Sequence, residues 1–204
     1  MSIPNSLTLL RILLTPVFVI FLFSDSPFFK QLSLVVYIVA ALTDWYDGVV
    51  ARKYGYVSRW GKFLDPLADK ILSAAALFAF VYLSLIDVWM VWIIVVRDVI
   101  ITALRSIAEW YDRPIITSRT AQAKTFSEFI VIYYILILYV AGSVPIIRMD
   151  YGSLLETLMD RHVLFGMMLM VTISTLATAV MYLIDNRTFL RELYGRFFGA
   201  AESR

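Results

Sequence analysis

Asp44-Trp-Tyr-Asp47-Gly48-Val-Val-Ala51-Arg52, then eight residues, then Gly61-Lys-Phe-Leu-Asp65-Pro-Leu-Ala-Asp69 is the stretch that decides how this chain is read. It places four carboxylates inside or beside strongly apolar segments. Asp44 and Asp47 are three residues apart, and Asp65 and Asp69 are four apart. On a helix either spacing puts the pair on one face. Gly61 lies one turn before Asp65, so Gly61, Asp65 and Asp69 form a stripe. Two antiparallel helices carrying these pairs would bring the four carboxylates together. An unpaired carboxylate at membrane depth costs about 2.5–3.5 kcal/mol, and four of them repel one another unless cations lie between. Hard oxygen donors without thiols suit Mg2+, Mn2+ or Ca2+. The structural alternative is that these aspartates cap helices or pair with Arg52, Arg59 and Lys62.

The surrounding composition is that of a membrane protein. Of 204 residues, 61% are hydrophobic and only 17% charged, and the mean hydropathy is +0.79. A soluble domain has about 45–50% apolar and about 25% charged residues. The length suits a single integral membrane domain spanning residues 1–204. A formal net charge of +2 is too small to imply a nucleic-acid partner. With no cysteine, thiolate nucleophiles, disulfides and iron–sulfur sites are excluded. The single histidine, His162, argues against histidine-rich metal sites and Ser-His-Asp catalysis, and is read as structural or solvated.

The pattern predicts an all-α, polytopic protein with six transmembrane helices. The spans are expected at about Leu7–Phe23, Gln31–Arg52, Gly61–Leu83, Val88–Trp110, Thr125–Ala141 and His162–Leu183. Each is long enough to cross a bilayer core at about 1.5 Å per residue. Leu7–Phe23 is read as a retained span, because no small-x-small cleavage site follows it. Asn5 or Ser6 is the expected N-cap, with Arg11 reaching back toward the interface. Pro66 is expected in the first turn of its helix. Gly142–Asp160 reads as a polar loop, and Phe189–Phe198 as a short interfacial helix.

Cation placement sets the orientation. One side carries Arg11, the five cations of residues 52–70, Arg105, Arg113, Arg119, Lys124 and four arginines of the tail. The other carries Lys30, Arg148 and Arg161, while Arg97 lies within a span. This asymmetry predicts that both termini and both halves of the aspartate motif are cytoplasmic.

Four clustered carboxylates can hold two divalent ions about 3.5–4 Å apart, an arrangement suited to phosphoryl and nucleotidyl chemistry. It would bind a pyrophosphate and stabilise charge developing on a leaving phosphate. Gly48 and Ala51 leave the helix surface open to a ligand, and Arg52 supplies a forked phosphate donor. Together these make a cradle for a nucleotide diphosphate. The structural alternative for Gly48 and Ala51 is close packing against another span.

The stretch resembles the signature of the CDP-alcohol phosphotransferases, D-x2-D-G-x2-A-R-x8-G-x3-D-x3-D, with every fixed position present at the family spacing. The resemblance implies a six-helix membrane fold in which a CDP-linked lipid donates its phosphatidyl group to an alcohol and CMP leaves. Asp44, Asp47, Asp65 and Asp69 match the metal-binding aspartates, and Asp69 also matches the proposed general base. The CDP donor would lie against Asp47, Gly48, Ala51, Arg52 and Gly61. Two Mg2+ or Mn2+ ions, CDP-diacylglycerol and a homodimer are implied by the same resemblance, as is a place in the bacterial inner membrane.

The acceptor is read from other segments. Asn5-x2-Thr8-x2-Arg11, Arg97-Asp98 with Arg105, and Ser118 through Lys124-Thr125 are similar to the bacterial phosphatidylglycerophosphate synthases within that family, whose acceptor is sn-glycerol 3-phosphate. An anionic acceptor needs cations beyond the metals, and Thr8, Arg11, Arg105, Arg113, Arg119 and Lys124 are the candidates for its phosphate. Where those synthases read S-x2-G-K-x-K-T, this chain has Ala121-Gln122 in place of Gly-Lys, with Arg119 nearby. Inositol phosphate, inositol or serine stay open as acceptors. A cation transporter is the reading from another class, but it would spread its carboxylates along a path through the bilayer. A non-catalytic scaffold gives no reason for four clustered acids.

Overall fold

The computed structural model describes the backbone of residues 3–54, 59–110, 119–187 and 189, and the side chains of residues 7–43, 68, 70–108, 123–187 and 189. The described residues form seven helices: α1 (Ile3–Leu22), α2 (Pro27–Tyr54), α3 (Arg59–Tyr82), α4 (Val88–Trp110), α5 (Arg119–Ser143), α6 (Pro145–Leu158) and α7 (Arg161–Asp185). No strand occurs among them.

Burial follows helical spacing on nearly every element. On α1 the buried positions are Thr8, Arg11, Thr15, Phe18 and Leu22, steps of three and four that define one face. On α2 they are Ser33, Tyr37 and Ala40; on α3, Ala68, Leu72, Ala76 and Ala79 with Ser73, Leu77 and Phe80 beside them. Small residues at three of the α3 positions let neighbouring backbones approach closely. Helix α1 packs on both α2 and α3, α4 on α3 and α7, and α5 on α2, α6 and α7. Aromatic rings join the layers: Phe18 lies 5.1 Å from Tyr37 and Tyr37 lies 5.4 Å from Tyr133, centroid to centroid.

The opposite faces are apolar and open. Leu13, Ile20, Phe28, Leu42, Ile100, Ile130, Ile137, Met170, Ile173 and Val180 are all exposed. A soluble monomer rarely shows contiguous apolar surface on this scale, whereas a lipid-facing bundle requires it. This is a membrane protein. By length and composition, Ala123–Ser143 and Arg161–Asp185 are each able to cross a bilayer, and Leu7–Leu22, Pro27–Thr43 and Lys70–Tyr82 are shorter apolar stretches.

Several local expectations need correction. The segment Gly142–Asp160 is mostly helical: Pro145 opens α6, where its missing N–H costs nothing. Helix α6 breaks its regular geometry at Tyr151 (φ −125°, ψ 18°) and buries no residue. It lies against α5, and the Tyr134 hydroxyl donates to the Leu158 carbonyl at 2.8 Å. Helix α1 begins at Ile3, so Asn5 and Ser6 are inside it and cannot be its N-cap. Arg11 is fully buried and does not reach out to the interface. Helix α3 starts at Arg59, which leaves Pro66 beyond its first turn. Most of the tail segment Phe189–Phe198 lies outside the described residues.

Two helix ends show their determinants. Asp160 caps α7, its carboxylate accepting the His162 backbone N–H at 2.8 Å. His162 itself is exposed. After α3, Ser84 adopts φ 58°. The Ser84 N–H donates to the Val81 carbonyl at 2.9 Å and the Leu85 N–H to that of Phe80 at 3.0 Å, which satisfies the last carbonyls and turns the chain into α4.

Candidate active site

The aspartate motif occupies the adjoining ends of two consecutive helices. Asp44 and Asp47 lie near the C-terminal end of α2, and Asp65 and Asp69 in the N-terminal half of α3. Their side chains, with those of Gly48, Ala51, Arg52 and Gly61, lie outside the described residues. Their register positions can still be read. Ser33, Tyr37 and Ala40 form the buried stripe of α2, and steps of four, three and four carry it on to Asp44, Asp47 and Ala51. On α3, Leu72, Ala76 and Ala79 are buried, and the same spacing carries that stripe back through Asp69 and Asp65 to Gly61. Both carboxylate pairs therefore continue faces that are buried further along their helices.

Thr8 and Arg11 belong to the buried face of α1, which packs against these two helices. A fully buried guanidinium is tolerated only with anionic or acceptor groups around it. The helices beside it carry the four aspartates.

Around the same end of the bundle the described side chains form an ionic cluster. Asp98 of α4 is buried, and its Oδ2 lies 3.0 Å from Lys70 Nζ of α3. Its Oδ1 accepts from Lys124 Nζ of α5 at 2.8 Å and from Arg97 Nη1 at 3.0 Å. Lys124 Nζ also donates to Glu128 Oε2 at 2.7 Å, one turn further along α5. Arg97 Nη2 donates to the Thr178 hydroxyl of α7 at 2.9 Å. Three cations and two carboxylates thus join three helices, with the Thr178 hydroxyl adding a fourth, and each buried charge has an opposite charge within hydrogen-bond reach, the condition under which such groups are retained in an apolar interior. A cavity of about 210 Å3 borders the cluster, with Lys70, Ser73, Asp98 and Glu128 on its polar side and Ile94 and Val95 among its apolar walls.

The proposed acceptor cations divide accordingly. Lys124 is buried between two carboxylates. Arg105, two turns past Asp98 on α4, is exposed. Arg119 opens α5, but its side chain, like all of Arg113, lies outside the described residues. Among the described side chains no group of three histidine or carboxylate residues is arranged to hold a metal; the four motif aspartates are not among them.

A larger cavity, about 560 Å3, lies at the far end, where α2 starts and α5 ends. Lys30, Tyr139, Arg148 and Glu156 are among its lining residues. Its position on α2 and α5 separates it from the aspartates.

Sequence reasoning noticed Arg97 beside Asp98 but missed Lys70, Glu128 and Thr178 as partners. Two signals were available. Lys124 and Glu128 have the i,i+4 spacing of a helical ion pair, and Glu128 is an acid inside an otherwise apolar run.

The family model for CDP-alcohol phosphatidyltransferase matches residues 1–183. The chain belongs to this family. A CDP-diacylglycerol–glycerol-3-phosphate 3-phosphatidyltransferase of Bacillus subtilis (strain 168) is 34% identical over 148 residues, covering 67% of this chain and 77% of that protein. A protein of the same name from Salmonella typhimurium (strain LT2) is 34% identical over 143 residues, covering 66% of this chain and 76% of the relative. One from Rickettsia felis is 31% identical over 142 residues, with 70% and 78% covered.

Proposed function

We propose that this chain is a single catalytic domain, residues 1–204, that transfers the phosphatidyl group of CDP-diacylglycerol to sn-glycerol 3-phosphate. The products are phosphatidylglycerol phosphate and CMP, a step of phospholipid biosynthesis. The observation that carries this reading is the complete motif in helical register with the buried stripes of α2 and α3, in a chain whose relatives bear the name of that activity.

In this reading α1 to α5 and α7 cross the inner membrane and α6 lies on its outer surface. The cation asymmetry puts both termini and the motif on the cytoplasmic side, where a water-soluble acceptor is available. The protein acts as a homodimer, as the family resemblance implies.

The donor set fits divalent ions: four carboxylates on adjoining helix ends offer only hard oxygens. Asp44, Asp47, Asp65 and Asp69 would hold two Mg2+ or Mn2+ ions, which when bound neutralise the pyrophosphate and the charge arising on the leaving group. Gly48, Ala51 and Gly61 leave room for the cytidine diphosphate, and Arg52 binds a phosphate oxygen. Asp69 takes the proton from the acceptor hydroxyl. That oxygen attacks the phosphorus bearing the diacylglycerol, its new P–O bond forms as the bond to the CMP oxygen breaks, and CMP leaves with the electron pair.

Thr8, Arg11, Arg105, Arg113, Arg119 and Lys124 supply the surroundings of the acceptor's phosphate. The exposed Arg105 is the described cation best able to meet it directly, whereas at Lys124 a phosphate would compete with Asp98 and Glu128.

The test is purified protein in detergent with CDP-diacylglycerol and a panel of labelled acceptors. The expected result is lipid product from glycerol 3-phosphate. Preference for inositol phosphate, inositol or serine would replace the acceptor while leaving the reaction class.

A further inference from the structure

The ionic cluster lies next in sequence to the reacting end of the motif: Lys70, which meets Asp98, directly follows Asp69. A helix turns about 100° per residue. With Lys70 as origin, Asp69 stands about 100° round the α3 axis, Asp65 about 140° and Gly61 about 180°. The motif stripe and the Lys70 position therefore occupy different sides of α3. Whatever pins Lys70 sets the direction of the stripe.

Asp98 is placed to do this. Its two oxygens are shared among Lys70 of α3, Arg97 of its own helix and Lys124 of α5. Arg97 extends the connection to Thr178 of α7, and Glu128 fixes Lys124 from the other side. One buried carboxylate thus ties α3 to three other helices within a turn of Asp69. Close packing and interhelical polar contacts together set the rotation of a transmembrane helix, and the Asp98 links add a directional constraint at the motif end of α3.

We propose that Asp98 is a positioning residue for phosphatidyl transfer, acting through Lys70 to fix the rotation of α3 about its axis and with it the register of the stripe that carries Asp65 and Asp69. This rests on the reading of Asp69 as the reacting end of the motif. Asp98 touches neither substrate. Its contribution is geometric, and a misplacement of about 1 Å in a reacting group can lower a rate about 10²-fold.

The experiment compares Asp98→Asn, Lys70→Met, the double variant, Asp98→Glu and Asp69→Asn. For each, kcat is expressed per donor-binding site counted by calorimetry, with KM for both substrates. Asp98→Asn and Lys70→Met should each lower kcat at least about tenfold while both KM values stay within about threefold. The double variant should be no worse than the poorer single one, because both break the same link. Asp98→Glu should recover most of the loss. In parallel, nitroxide labels go on the pair Ile71→Cys and Ile130→Cys, both exposed sites in a chain without native cysteine. The interlabel distance between α3 and α5 should shift or broaden in Asp98→Asn and Lys70→Met. If Asp98→Asn does not fold, Lys70→Met carries the test, since it leaves Asp98 with Arg97 and Lys124. Normal kcat and an unchanged distance in Lys70→Met, with Asp69→Asn inactive, would overturn the positioning role alone. An active Asp69→Asn would instead overturn the reading of the motif on which it rests.

Discussion

Lys124 Nζ lies 2.8 Å from Asp98 Oδ1 and 2.7 Å from Glu128 Oε2, all three side chains being buried. Removing one charge from such a group leaves the others uncompensated, at about 3–5 kcal/mol. Lys124→Met should therefore lower the thermal midpoint in detergent by several degrees. Glu128→Gln added to Lys124→Met should recover part of that loss, because it withdraws the second acid from the neighbourhood of Asp98. A double variant less stable than Lys124→Met would show that Glu128 is held by other contacts.

Arg105 gives a sharper test of the acceptor. It is exposed at the motif end of α4. Arg105→Ala should raise KM for glycerol 3-phosphate about ten- to a hundredfold, equivalent to the loss of one charge-assisted hydrogen bond of about 1.5–3 kcal/mol. KM for the lipid donor should change little. Equal effects on both substrates would assign Arg105 a structural role.

Chelation addresses the four aspartates directly. Activity should vanish in excess EDTA and return with Mg2+ or Mn2+. Asp44→Asn should weaken donor binding measured by calorimetry in the presence of metal, because that residue is read only as a ligand. Full turnover in excess EDTA would remove the two-metal reading.

Orientation is tested by single cysteines at positions 56 and 150, clean probes because the chain has none of its own. An impermeant thiol reagent applied to intact cells should label position 150 on α6 and spare position 56 between α2 and α3. The reverse pattern would invert the protein in the membrane.

The legible part of this molecule was what depends on period and composition. Steps of three and four between Thr8, Arg11, Thr15 and Phe18, or between Tyr37, Ala40 and Asp44, are local, and the helices formed where that pattern runs. Helix α6 was missed because Asp150, Gly152, Ser153 and Glu156 read as loop chemistry; no buried stripe forms there, and the helix buries no residue. At the site, the motif placed its aspartates on helices without help from the fold. The Asp98 cluster was only half visible. Arg97 and Asp98 are adjacent in sequence, but Lys70, Lys124 and Thr178 come from three other helices, and their meeting depends on packing that no local pattern encodes. The same holds for Arg11. Its place near a helix start suggested a side chain reaching for solvent, and only the packing of α1 on α2 and α3 shows why it is buried.

The most direct test of the account is the stoichiometry of transfer. Purified protein, Mg2+ or Mn2+, CDP-diacylglycerol and labelled glycerol 3-phosphate should yield one CMP for each labelled phosphatidylglycerol phosphate. Asp69→Asn should still bind CDP-diacylglycerol while losing about 10²–10⁴-fold in that rate, the contribution of a positioned base. CMP release without labelled lipid, or near-normal transfer by Asp69→Asn, would contradict it.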